Sequence, residues 1–282
     1  MLKTYLFVPA NNQRFIRKIP LIPADYIIFD LEDSVIKDEV ASSFQNLKTI
    51  VPESNHYIRL NIFPEETGYV DLALISESIG IGFRNFIIPK YRCIAQIEAL
   101  QSILIKHKHY TFDSFRFILL IEHPLGLYNL HETIQRKILN IEAIGFGSHD
   151  YCNVTGMKHI LNNLAYVRQL IVNSAKAFGL SAIDFVSLHL DNDQIFCEEA
   201  YDGFSLGFTG KFIIHPKQIE LIKGIQYYST LEVAEAKSIY KKILEIQKGK
   251  VAVVRLNGKI YEKPHINKII DIIKWSQDYG SE

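Results

Sequence analysis

Two carboxylates stand where chemistry could be done. The stretch "FRFILLIEHPLG" runs through apolar residues 117–121 into Glu122, and "NIEAIGFGSHDY" runs through residues 143–147 into Asp150. Delivered close together by two buried strands, such groups repel. One pKa then rises unless a cation neutralises them. Mg²⁺ suits the pair, because it takes one or two carboxylates and fills its other positions with water and substrate oxygens. No His/Cys cluster offers a zinc site. The alternative is that one or both carboxylates cap the helix that follows.

Other apolar runs also end in polar groups. In chain order these are Asn11 and Arg14, Glu32 and Asp33, Arg59 and Asn61, Lys90, Glu122, Asp150, Asp184 and His215. Arg59 can fix a carboxylate or stabilise an oxyanion, or pair with Glu32 or Asp33 on the neighbouring run, and both roles can hold together. Arg14, Arg59, Lys90 and Glu122 are the candidate substrate contacts. Lys90 can form a Schiff base if buried, but a Lys at such a place is more often an ion-paired or solvated charge. His215, before Pro216, reads as a structural hydrogen-bonder, and His149 as a residue of a solvent-facing loop.

Eight short β-rich runs must position these groups: 5–9, 26–32, 56–61, 86–90, 115–122, 143–147, 182–188 and 211–216. Most lack period-two alternation, as strands buried on both faces should. Helical faces lie between several of them, such as Ile94, Ile97, Leu100 and Leu104, or Leu164, Val167, Ile171 and Ala175. Eight such units predict an α/β fold, a (β/α)8 TIM barrel, whose chemistry sits at the C-terminal ends of its strands. A doubly wound open sheet is the alternative, weakened because "PANNQR" after the first run is not G-x-G-x-x-G. Residues 1–228 are assigned to the barrel. Residues 229–282 read as a helix over 231–247, a hairpin turning at Asn257-Gly258 and a helix from Pro264 to about Trp275. This extension could cover the barrel mouth or reach a neighbouring subunit.

The totals exclude several classes. Of 282 residues, 48% are apolar, enough for a large core, and 31 basic residues balance 31 acidic ones. Such balance builds no field for nucleic acid or anionic lipid. No run of eighteen apolar residues predicts a membrane span, and the four-residue apolar run before Pro9 is too short for a signal peptide. Cys93, Cys152 and Cys197 have no paired or metal-type spacing, which suits the cytoplasm.

At these residues the sequence resembles the citrate lyase β-subunit family, the HpcH/HpaI aldolase-like lyases that include malyl-CoA and citramalyl-CoA lyases. "LFVPANNQRFIRK", "DYIIFDLEDSV", "YIRLN", "FIIPK", "ILLIEHPLG", "GFGSHDY", "AIDFV" and "LGFTGKFIIHPKQI" match in order, over roughly 3–222, and "LNGKIYEKP" resembles the family's C-terminal lid. The resemblance implies a Mg²⁺-dependent carbon–carbon lyase acting on an adduct of a keto or hydroxy acid with a CoA or acyl-carrier thioester. It places the metal on Glu122 and Asp150. Arg59 falls on the arginine that steadies the enolate oxygen, and Glu32 and Asp33 on the acidic pair below the metal. Glu262 falls where family lyases carry the lid Asp that works in a neighbouring subunit, and the homo-oligomer expected by analogy is a trimer. The chain departs from the family pattern at Ala10 for Gly, at His123-Pro124 for Thr-Ala and at Glu262 for Asp. Two other readings stand beside this one: a Mg²⁺-dependent aldolase on free acids without a thioester, and a non-catalytic or regulatory descendant of the barrel.

Overall fold

Runs such as "YLFVP", "YIIFDL" and "RFILLI" are rich in β-branched and aromatic residues, which pack well on a pleated surface. In the computed structural model they form eight parallel strands: β1 (Lys3–Pro9), β2 (Tyr26–Leu31), β3 (His56–Leu60), β4 (Asn85–Ile88), β5 (Arg116–Ile121), β6 (Ile141–Phe146), β7 (Ser181–Asp184) and β8 (Gly210–Ile213). Residues 1–62, 72–106, 111–247, 253–256 and 258–279 are described. Each strand pairs with the next, and β1 pairs with β8 through Lys3↔Gly210 to Leu6↔Ile213, so the sheet closes. The open doubly wound sheet is therefore excluded.

The helices are α1 (Gln13–Ile16), α2 (Val40–Leu47), α3 (Leu72–Ile81), α4 (Ile94–Leu104), α5 (Pro124–Gln135), α6 (Ser148–Thr155), α7 (Leu161–Ala177), α8 (Asp193–Leu206), α9 (Lys217–Gly224), α10 (Thr230–Gln247) and α11 (Lys263–Tyr279). The α7 face expected from spacing is buried at Leu164, Val167, Ile171 and Ala175. On α4, Ile97, Leu100 and Leu104 are buried with Ile103, while Ile94 at the helix start is half-buried. No described helix is long and apolar enough to cross a membrane.

Every barrel strand sends a side chain to one interior cluster: Tyr5, Ile28, Tyr57, Ile87, Ile118 with Leu120, Ala143, Ile183 and Phe212. The β5–β6 register shifts once, from Phe117↔Ile141 to Ile118↔Ala143, leaving Glu142 as an extra residue on β6. Asp184 ends β7 but faces the helix layer. It is fully buried and takes two bonds from Arg168 of α7, Nε to Oδ1 at 3.1 Å and Nη2 to Oδ2 at 2.7 Å. Arg168 also donates to Asp202 of α8. Gly203 leaves room for this pair, since a Cβ there would lie 2.4 Å from Asp184 Oδ2. Asp184 is thus a packing charge and not a rim group. The reason is phase: Ile183 points inward, so its neighbour points outward.

The chain divides into two compact units, Leu2–Ile222 and Lys223–Glu282 together with Met1. In the second, α10 and α11 pack with an antiparallel hairpin of β9 (Val253–Leu256) and β10 (Lys259–Glu262) around Ala236, Ile243, Val254 and Ile269. Gly258, at φ 76°, supplies the turn's left-handed residue; Asn257 lies outside the described residues. The last helix runs past Trp275 to Tyr279.

Removing one partner of a buried ion pair leaves the other uncompensated. Arg168→Ala is therefore expected to lose about 3–5 kcal/mol of stability in urea unfolding. A loss below about 1 kcal/mol would show that the pair does not hold α7 and α8 to the barrel.

Candidate active site

The same period of two that fills the barrel interior also delivers the site. Ile28, Tyr57 and Leu120 point inward, and two residues on along each strand stand Asp30, Arg59 and Glu122. The β2–β3 register sets Asp30 opposite Arg59. Their side chains form a bidentate pair, Nε to Oδ1 at 2.7 Å and Nη2 to Oδ2 at 2.8 Å. Arg59 Nη1 lies 3.0 Å from Glu32 Oε2 and 3.1 Å from Asp33 Oδ2, and the guanidinium sits 4.7 Å over the Phe7 ring. The Asp30, Glu32 and Asp33 carboxylates therefore surround its charge. Burial opposes the ionised Asp30 carboxylate. The Arg59 charge and its two bonds outweigh that and hold the pKa below the ordinary value.

Lys90 follows β4 in a left-handed conformation, φ 51°, unusual for a residue with a Cβ. This turn aims its main-chain N–H at Glu122 Oε2, 2.6 Å away, while its Nζ lies 2.9 Å from Glu32 Oε1. Glu122 caps no helix. His123 caps α5, its Nδ1 accepting from the Leu125 N–H. Asp150 lies in the first turn of α6, whose N-cap is Gly147 without a side-chain cap bond. Gly147 is needed for space: a Cβ would lie 2.3 Å from Glu122 Cγ and 2.7 Å from Oε1.

Asp30, Asp33, Arg59, Glu122, Ser148, His149 and Asp150 line one cavity of about 300 Å³ over an apolar floor of Phe7, Leu120, Val186 and Phe212. At this rim Asp30, Glu32, Asp33, Glu122 and Asp150 are set against Arg59 and Lys90, five carboxylates to two cations. The excess shows in the pKa values. Burial, then Glu32 and Asp150, push Glu122 up to about 8. Glu32 is pushed up to about 7 by burial and Asp33, against the pull of Arg59 and Lys90. Burial and Asp33 raise Asp150.

The structure thus brings Arg59, Glu32, Asp33, Glu122 and Asp150 together. Arg14 it does not: on α1 it is exposed and is no wall of the cavity. Lys90 stands behind Glu32 as its ion-pair partner. The neighbouring carboxylates raise its pKa, and an amine kept protonated is no Schiff-base nucleophile. Glu262 ends β10 in the C-terminal unit, where its N–H donates to His265 Nδ1 at 3.2 Å. His149 is exposed, but it sits on α6 and lines the cavity instead of riding a loop. His215 accepts from the Lys217 N–H, a local structural bond. Sequence reasoning missed Asp30, the residue that holds Arg59. Its signal was there, two residues after inward Ile28 on a strand next to Arg59.

The donor set fits Mg²⁺. Both candidate ligands offer hard oxygens, they sit among carboxylates that lift one another's pKa, and a cradle at Gly147 is kept clear for one of them. Among the described residues no group of three or more His, Cys, Asp or Glu is placed to hold a metal by itself.

A closed (β/α)8 barrel with a carboxylate-lined cavity at its C-terminal face has the layout of a barrel enzyme. Residues 3–216 match the model of the HpcH/HpaI aldolase/citrate lyase family, and the chain belongs to that family. It is 27% identical to a citrate lyase subunit beta of Leuconostoc mesenteroides over 96% of this chain and 92% of that one. It is 26% identical to a (3S)-malyl-CoA thioesterase of Cereibacter sphaeroides, over 94% and 90%. The crystal structure of CitE from Mycobacterium tuberculosis with magnesium, acetoacetate and coenzyme A shares the fold at a TM-score of 0.78 and 21% identity, over 100% and 98% of the two chains.

Two outcomes follow for the site. Gly147→Ala is expected to displace Glu122 and weaken Mg²⁺ binding by about 10–100-fold in calorimetry while the circular dichroism spectrum is unchanged; unchanged affinity would mean that Glu122 holds no metal. The Asp30 carboxyl has a folded pKa below its unfolded value, so its stabilisation is present above the unfolded pKa. It is lost as pH falls through the folded value. Asp30→Asn is accordingly expected to be less stable than the parent by about 3–5 kcal/mol at pH 7. In acid titrations the difference should close below about pH 3.9, the unfolded Asp value.

Proposed function

We propose that this chain is a Mg²⁺-dependent carbon–carbon lyase of the citrate lyase β-subunit kind, cleaving or forming the adduct of a 2-oxo or 2-hydroxy acid with an acyl thioester. The observation that carries this reading is the pairing of Glu122 and Asp150 in one cavity with the Arg59 guanidinium. Family membership and the relatives' names support it. Glu122 and Asp150 would hold Mg²⁺, which when bound polarises the carbonyl of the acid and offsets the carboxylate excess. Arg59 brings its charge to the oxygen on which the acyl fragment gathers negative charge. Asp30, Glu32 and Asp33 fix that guanidinium so that little reorganisation is needed when charge develops. The apolar floor keeps water from the reacting carbon.

The proton at the acyl carbon is assigned to Glu262 of a neighbouring copy, in a homo-oligomer that the family resemblance makes a trimer. The whole extension 229–282 would then act as a lid. Cys93, Cys152 and Cys197 are all free thiols, in keeping with a cytoplasmic setting.

The test is cleavage of citryl, malyl and citramalyl thioesters with and without Mg²⁺, together with Glu122→Ala. The parent should release a keto acid only with the metal. The variant should lose about 3 kcal/mol or more of transition-state stabilisation, roughly 100-fold or more in rate. A Glu122→Ala protein that keeps both Mg²⁺ binding and turnover would overturn the reading. Metal-dependent binding of free acids, with no turnover of any thioester, would favour an aldolase on free acids.

A further inference from the structure

The crossover from β1 to β2 is thin. It holds only α1, of four residues, and one 3-10 turn, Ile19–Leu21. A (β/α)8 barrel ordinarily lays a full helix there. Ile28 points into the barrel, so Ile27 and Phe29 point outward. The space beside them is a cavity of about 560 Å³, floored by Ile16, Ile19, Ile27 and Phe29. It shares no residue with the carboxylate-lined cavity, and it has the size of a small-molecule site.

His56 opens β3 opposite Ile27 and lines this cavity. It is only 7% exposed, and its ring meets Phe29 edge-on at 5.4 Å. Its Nδ1 accepts from the Glu53 main-chain N–H at 3.1 Å. A main-chain N–H can only donate, so Nδ1 is bare and the proton of the ring sits on Nε2. Burial, against the pull of Glu53, holds the His56 pKa below its ordinary value, in keeping with a neutral ring. Among the described residues nothing accepts from Nε2–H, and the atom is not sealed from solvent. A buried donor without an acceptor costs free energy. Arg17 and Glu53, both exposed, stand at the rim and balance in charge. An anion on Nε2–H would meet the charge of Glu53, and a cation would meet Arg17.

We propose that this cavity binds an apolar small molecule carrying one uncharged oxygen acceptor, a ketone, ester or amide carbonyl, with that oxygen on His56 Nε2–H and the hydrocarbon on Ile16, Ile19, Ile27 and Phe29. The bound carbonyl satisfies the orphan donor, and the hydrocarbon covers the outward side chains of β2 that the short crossover leaves open.

Calorimetry of the full chain with 2-heptanone, 2-octanone and 2-nonanone tests the site without Mg²⁺ or a thioester, so the result stands whether or not the lyase reading does. Affinity should rise about fourfold with each added methylene. Octanoate should bind at least about tenfold more weakly than 2-octanone, because its charge would be buried beside Glu53. Nitrogen resonances of the His56 ring should show Nε2 protonated and Nδ1 bare, and the Nε2 proton should move downfield as 2-nonanone saturates the protein. Ala24→Phe, which fills the cavity from its half-buried wall, should abolish binding and leave the circular dichroism spectrum unchanged. His56→Phe keeps an apolar ring but removes the donor, and should weaken 2-nonanone binding about five- to tenfold. If that variant does not fold, the parent's His56 resonance decides. No binding of 2-nonanone at its solubility limit, or binding that leaves the His56 resonance unmoved, overturns the site. Octanoate bound as tightly as 2-octanone overturns the uncharged acceptor and assigns the head group to Arg17.

Discussion

Five carboxylates and two permanent cations share one rim, with Asp30, Glu32, Glu122 and Arg59 buried, and the rest of the site is arranged around that imbalance. A lone buried carboxylate could neutralise itself by taking a proton. Here Arg59 prevents a general retreat to neutrality, because its charge keeps Asp30 ionised despite burial. The unmet negative charge falls on Glu122, Glu32 and Asp150, the groups whose pKa values rise. A divalent ion would relieve this state without disturbing the Arg59 cluster. The cost of assembling the rim is borne by the barrel, whose closed sheet and filled interior leave the strand ends little freedom to part.

The two permanent cations have different jobs, and their chemistry explains why. Arg59 has a planar fork that can take Asp30 bidentately and still reach Glu32 and Asp33. A lysine ammonium has three donors but no planar fork, so it could not take Asp30 bidentately while reaching the other two. Lys90 works through its main chain as much as its ammonium: the left-handed turn puts its N–H on Glu122 while Nζ reaches Glu32. One residue thus ties a candidate metal carboxylate to the acid that orients the guanidinium.

The barrel was legible in the sequence because its strands are buried on both faces and so read as continuous apolar runs. The rim was legible because each run ends abruptly in a charge. What was not legible was phase. Counting run ends put Asp184 at the rim and passed over Asp30, yet the inward face is set by alternation from Ile28 and Ile183, which only strand pairing fixes. Arg14 looked like a rim cation because it follows the first strand closely, but the short helix α1 turns it to solvent.

The extra residue on β6 has a reach beyond its own rim. Side chains on a strand alternate, so a one-residue shift exchanges the faces of everything that follows. With Glu142 inserted, Ala143 pairs with Ile118, and Gly145 and Gly147 inherit the inward phase. Without it the bulky members of the strand would turn inward, and Phe146 would claim ground near Glu122. The barrel therefore keeps its parity setting at the end remote from the chemistry, where a single inserted or deleted codon would rewrite the interior of the strand while leaving its composition almost untouched.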